Sequence, residues 1–180
     1  MKKNREGYLT IELMVALGIL VVGLLGIVRL SSESIGLSRV LSGQLIANYL
    51  AAEGIEVVKN NIDAGVLGGR QWGYFQGPRV RCYELQYNTT TMPPPFLCAG
   101  DYANTAFGTI NRLSPLFLNE DTGRYQYGGG RTTPFRRVIR ITRNPTEQDQ
   151  NEIRVDSVVF HDVRGTRFHV HLENRFFNRW

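Results

Sequence analysis

The chain has 180 residues, 42% hydrophobic and 21% charged, with 21 Lys and Arg against 16 Asp and Glu for a formal net charge of +5. That balance is too apolar and too weakly charged for a disordered polyelectrolyte. Nineteen Gly without a three-residue period, and only seven Pro, exclude a collagen-like rod.

The apolar residues are concentrated at the start. Lys2, Lys3 and Arg5 precede sixteen uncharged residues, Leu13 to Val28, and Arg29 follows them. A positive segment before an apolar core is the grammar of export, and the positive-inside bias keeps residues 1–7 in the cytoplasm. After Val28 comes Arg-Leu-Ser-Ser-Glu-Ser, which lacks the small-residue pattern of a secretory cleavage site, so the apolar run is expected to stay. A helix from Tyr8 to Val28 would be about 31 Å long, close to the hydrocarbon thickness of a bilayer.

Glu12 does not suit a plain single-pass anchor. A lone carboxylate at depth in a bilayer costs roughly 2.5–3.5 kcal/mol and calls for a partner. A cut just before the helix would create one, a free α-amino group, and Gly7-Tyr8-Leu9-Thr10-Ile11-Glu12 offers the site. This arrangement resembles the class III signal of type IV pilins and pseudopilins. The resemblance continues through Leu13 to Leu20 and Gly23-Leu24-Leu25-Gly26, a glycine-spaced stretch most similar to the minor pilins of the PilV type. It implies cleavage after Gly7 by prepilin peptidase, with Tyr8 as the new, N-methylated terminus. It further implies an inner-membrane assembly platform as partner and other pilin subunits packed through the helix. In that packing the Tyr8 ammonium of one subunit neutralises Glu12 of the next. The chain departs from the common pattern in three places: Tyr8 stands where Phe is usual, Leu9-Thr10 inverts the commoner order, and Arg29 replaces a helix-kinking Pro.

From Leu30 to Ile62 there is no Pro. Apolar residues recur at Leu37, Leu41, Leu45 and Tyr49, with a second row at Ile46, Leu50 and Val57. Spacings of four and seven make one broad helical stripe. The helix is therefore expected to continue, with Gly36, Gly43 and Gly54 each weakening it by about 1 kcal/mol relative to Ala. Residues 63–134 are rich in Gly and turns, with short strands expected at Val80–Tyr87 and Gly123–Tyr127. No Gly-Lys-Ser/Thr follows the glycine clusters, so they read as turns rather than phosphate cradles. Three strand-like runs close the chain at Phe135–Thr142, Glu152–Phe160 and Thr166–Leu172, the last alternating Phe168, Val170, Leu172 against Arg167, His169, His171. The expected architecture is α+β and pilin-like: a leader (1–7), a membrane helix (8–29), its amphipathic continuation (30–62) and a head (63–180). In the head a loop-rich part (63–134) precedes an antiparallel sheet (135–173).

Cys82 and Cys98 are the only cysteines and lie in the segment placed outside the cytoplasm, so an even count reads as one disulfide. Closing that loop would stabilise the head by about 3 kcal/mol in the chain-entropy model. His169 and His171 share one strand face and His161 stands on the neighbouring strand, an arrangement that could hold Zn²⁺. Exposed His-x-His is more often plain surface, so no metal is assigned. Arg131, Arg136, Arg137, Arg140 and Arg143 fall within thirteen residues without an acid and could contact DNA phosphates. Interleaved Glu147, Asp149, Glu152, Asp156 and Asp162 favour an ion-paired surface instead, which leaves DNA as the weaker candidate partner.

No catalytic constellation or cofactor motif stands out, so the expected role is structural: a minor pilin drawn from the inner membrane into a type IV pilus or related filament. A type II secretion pseudopilin, a DNA-uptake pilin and an unprocessed anchored head are the alternatives. The periplasm or cell exterior is the expected final location.

Overall fold

The computed structural model describes residues 6–69, 80–89, 93, 113–143, 152–163 and 165–178. They form a helix, α1 (Glu6–Leu67), and six strands: β1 (Val80–Tyr83), β2 (Pro115–Asn119), β3 (Arg124–Gln126), β4 (Arg131–Arg143), β5 (Glu152–Val163) and β6 (Thr166–Phe177). The chain divides into two compact units, Met1–Ser42 and Gly43–Trp180.

In the second unit one antiparallel sheet has the order β3-β2-β4-β5-β6, with β1 on β4. β4, β5 and β6 are consecutive antiparallel neighbours, the meander expected from the three strand-like runs. Gly165 takes φ +82° between β5 and β6, a conformation that side chains with a Cβ disfavour. β4 begins four residues before the expected start and runs through Pro134. That proline sits where the β2–β4 register shifts, between the Phe117–Thr132 and Pro115–Arg136 pairs, and at such an irregularity it interrupts no regular ladder. β2 falls in the part of the sequence read as loop. Its five residues, Pro-Leu-Phe-Leu-Asn, are too short a run to declare a period, and only Leu116 is fully buried.

The residues of α1 that face the sheet recur every three or four positions: Ala47, Leu50, Ala51, Ile55, Val58 and Ile62 are all buried. They pack on the alternate residues of β4 and β5, including Phe135, Ile139, Ile141, Ile153, Val155 and Val159, with Tyr83 of β1. The expected single stripe is thus split. Leu50 and Val57 are buried, whereas Leu37, Leu41, Leu45 and Tyr49 are exposed. Gly54 has a packing reason that outweighs its cost to the helix. A methyl group there would lie 2.6 Å from Ser157 Oγ and 3.1 Å from Ile139 Cδ1. The opposite face of the sheet carries a second cluster: Cys82, Leu113, Val138, Val158 and Phe160.

The register corrects the arrangement of the histidines. His161 lies opposite Phe168, while His169 and His171 lie opposite Phe160 and Val158. Directly opposed residues share a face, so His161 points toward α1 and the other two point away from it. Its ring is buried, stacked on Phe168 at 5.5 Å and beside Phe135 at 5.7 Å, and neither nitrogen has a hydrogen-bond partner among the described residues. The three imidazoles cannot meet on one metal.

Burial holds the His161 pKa below its ordinary value, against the opposing pull of Asp162. Above about pH 6.5 the ring is neutral whether folded or unfolded; below it the unfolded chain takes up the proton first, so stability falls with pH. Urea midpoints between pH 7.5 and 5.0 should decline, with a His161 contribution of at most about 1.4 kcal/mol per pH unit. A His161→Phe variant, which keeps the stacked ring, should show the shallower slope. Equal slopes would remove His161 from the acid sensitivity.

Candidate functional site

The first unit supplies the most distinctive surface. Gly7 and Tyr8 fall in the first turns of α1, and Glu12 follows on an exposed stretch of the same helix. Among the described residues Glu12 has no ion pair, and its neighbours are bare: Ile11 is 65%, Leu13 61% and Met14 72% exposed. The exposure continues through Val15, Leu17, Ile19, Leu20, Val22, Leu24, Leu25 and Val28. A methyl group added at Gly18, Gly23 or Gly26 would meet nothing within 4 Å, so contacts among the described residues do not require these glycines. Soluble surfaces rarely expose apolar patches of this extent; those that do bind membranes or other proteins. α1 is the one helix among the described residues long and apolar enough to cross a membrane. The first charge after the apolar run, Arg29, pairs with Glu33 at 3.2 Å, whereas Glu12 has no such partner among the described residues.

In the head the five arginines of the basic run do not form one patch. Arg136 and Arg140 share the sheet face turned away from α1, whereas Arg137 lies between them on the α1 face, as their pairing with Phe160, Asp156 and Val159 requires. Arg136 donates to the carbonyl of Leu113. Arg140 pairs with Asp156 at 3.1 Å, and Arg131 with Glu120 at 3.3 Å. Arg143 is exposed at the end of β4. Arg137 must be withdrawn from any DNA-contact surface, because its side chain is wholly buried.

Arg137 instead ties the helix to the sheet. Its guanidinium donates to the carbonyl of Leu50 at 2.7 Å and to that of Leu85, and it pairs with Glu53 of α1 at 3.4 Å. Its own carbonyl accepts from the Tyr127 hydroxyl at 3.1 Å, and burial pushes that phenol up to about 12. The signal was present in the sequence: Phe135, Arg137, Ile139 and Ile141 form one alternating row, which places an arginine in the core.

A second ionic group missed by sequence reading centres on Asp156. Its buried carboxylate accepts from Arg140 Nε and lies 3.4 Å from Arg154 Nε on one oxygen, with His171 Nε2 at 3.0 Å from the other. Cross-strand register alone brings these residues together from β4, β5 and β6. Cys82 is buried in β1 and is not a free thiol; Cys98 lies outside the described residues. Among the described residues no cluster of His, Cys, Asp and Glu could hold a metal ion.

In comparisons with protein-family models, curated proteins and solved structures, nothing matches the chain.

Replacing Arg137 with Met should cost about 3 kcal/mol, because Glu53 loses its counter-charge and two buried carbonyls lose their donor. Arg131→Gln, which breaks only an exposed pair, should stay within about 0.5–1 kcal/mol. Denaturant unfolding of the two variants tests the contrast, and comparable losses would argue against the buried tie.

Proposed function

We propose that the protein is a structural, pilin-like subunit resembling the minor pilins of the PilV type. It is held in the inner membrane by α1, with its amino terminus in the cytoplasm and its head outside, and is then drawn into a type IV pilus or related filament. One observation carries this reading: among the described residues Glu12 stands unpaired at the edge of an exposed, uncharged helix, five positions beyond Gly7. A bilayer accounts for the apolar surface but leaves the carboxylate costly. A filament core accounts for both. Removal of residues 1–7 frees the Tyr8 ammonium, and the ammonium of one subunit neutralises Glu12 of its neighbour while apolar side chains cover one another. An unpaired carboxylate in that core would be costly, so the pair also selects register. The burial of Arg137 and the ion pairs of Arg131 and Arg140 weaken the DNA-uptake alternative.

The same reading places Cys82 and Cys98 in an oxidising compartment. We assign them to one disulfide because Cys82 is not free and the chain has a single other cysteine.

Two measurements test the assembly reading. Intact mass of membrane-extracted protein should begin at Tyr8, with the increment of N-methylation; a chain retaining Met1–Gly7 in a host with active prepilin peptidase excludes it. Glu12→Val should leave processing unchanged, because the Gly7–Tyr8 bond is untouched, yet lower the amount of this subunit in sheared filaments relative to membranes. Leaving one partner of a buried pair alone costs about 3–5 kcal/mol, enough to remove the variant from most filaments. Wild-type incorporation would reject charge pairing.

Non-reducing peptide mapping should recover Cys82 linked to Cys98. Loss of either cysteine should lower head stability by about 3 kcal/mol without affecting leader removal. Full alkylation of both thiols in the absence of reductant would contradict the bond.

A further inference from the structure

Gly43 is the first residue of the second compact unit, and what α1 meets there is the ring of His161. A methyl group at Gly43 would lie 3.0 Å from His161 Cδ2 and 3.1 Å from its Nε2. The contact is thin. Gly43, Gln44 and Ile46 are half-buried, Leu45 is exposed, and Ala47 is the first fully buried residue of the helix. Segments with few buried apolar contacts open at low cost, and the poor helix propensity of Gly43 lowers that cost further. The next turns are held more firmly, because Arg137 donates to the Leu50 carbonyl and pairs with Glu53.

The ring at this contact has no place for a second proton. It is 1% exposed, flanked by Phe135 of β4 and Phe168 of β6, and neither nitrogen has a hydrogen-bond partner among the described residues. The charges on every neighbouring element are unsuited to receive an imidazolium. On β5, Asp162 is adjacent in the chain, but it lies on the other sheet face and accepts two bonds from Arg167 of β6, at 2.8 and 3.1 Å. On β4 the charges beside Phe135 are Arg136 and Arg137. On α1 the one charge between Ser34 and Ala52 is Arg39, exposed and four positions before Gly43. A buried charge without a partner is costly. Burial accordingly lowers the His161 pKa, with Asp162 pulling weakly the other way.

We infer that His161 and Gly43 form an acid-sensitive latch at the point where α1 enters the head. When the ring takes a proton, residues 43–46 separate from β5 and water reaches the imidazolium, while the turns held by Arg137 stay docked. When the ring is neutral, the contact closes again. Opening is favoured as pH falls below about 6.5, because the open ring binds its proton at the ordinary pKa and the closed ring only at a lower one. The inference does not rest on filament assembly.

The test uses the full chain in detergent micelles, with distances measured between spin labels on two introduced cysteines. Labels on Leu45→Cys and Thr166→Cys, both exposed positions, span the latch. Labels on Glu56→Cys and Asn174→Cys, also exposed, span the docked turns. Between pH 7.5 and 5.0 the first pair should gain a longer component. Its ratio to the short one should rise about tenfold, with about thirtyfold the ceiling for a single imidazole. The second pair should keep one distance throughout. His161→Phe and, independently, His161→Gln should hold the first ratio within about twofold over the same range, since neither side chain titrates. An unchanged first distance in the wild-type head, the same longer component in both variants, or a second distance that lengthens in step would overturn the latch.

Discussion

At Gly54 the backbone of α1 comes so near the sheet that even a methyl group would lie 2.6 Å from the Ser157 hydroxyl and 3.3 Å from Arg137 Cδ. Interiors packed to crystal density leave no room to absorb that clash cheaply. Around this approach the helix presents small residues, Ala47 and Ala51, both fully buried, and the sheet presents Ser157. The close contact puts Leu50 O and Glu53 within reach of Arg137. A buried guanidinium in a strand is therefore stabilised by a helix that would otherwise stand too far away. Gly54 costs the helix something in propensity and returns it in packing.

The two halves of α1 meet different surroundings. From Ala47 to Ile62 the buried apolar residues have partners in the sheet. From Ile11 to Val28 the large apolar side chains have none among the described residues, and all are more than half exposed. The described residues leave them uncovered, and exposed apolar surface of this extent marks a site for a membrane or another protein. Under the proposed assembly Glu12 distinguishes those two environments, because hydrocarbon offers a carboxylate no partner and a neighbouring subunit can. The exposed row Leu37, Leu41, Leu45 and Tyr49 carries apolar surface onward along the helix, beyond what a membrane span alone needs.

The outer face of the sheet follows a different rule. It is held by a small apolar cluster around Val138, Val158 and Phe160 and by the buried carboxylate of Asp156. That carboxylate is acceptable in a low-dielectric setting because Arg140, Arg154 and His171 surround it. The basic run in β4 is thus divided by the pleat: Arg137 goes to the core, and Arg140 goes to a carboxylate on the neighbouring strand β5. A tally of positive charge cannot reveal that division, because adjacent residues in a strand face opposite sides.

What the sequence determined by itself is what local chemistry writes into a short window. The uncharged run after Glu12, the helical spacing beyond it and the alternation in the last three strands each have a period that a few residues declare. Hence the long amino-terminal helix, the antiparallel meander and the α+β class could all be read before any coordinates. Even the burial of Arg137 was latent in the alternation of its strand. Which partner each face meets is set by long-range packing instead. The split between the Leu50 row and the Leu45 row, the inward turn of His161 and the grouping of charges on Asp156 all depend on strand register and on the approach of α1 at Gly54. Those are contacts between different elements of the chain, and no local period encodes them.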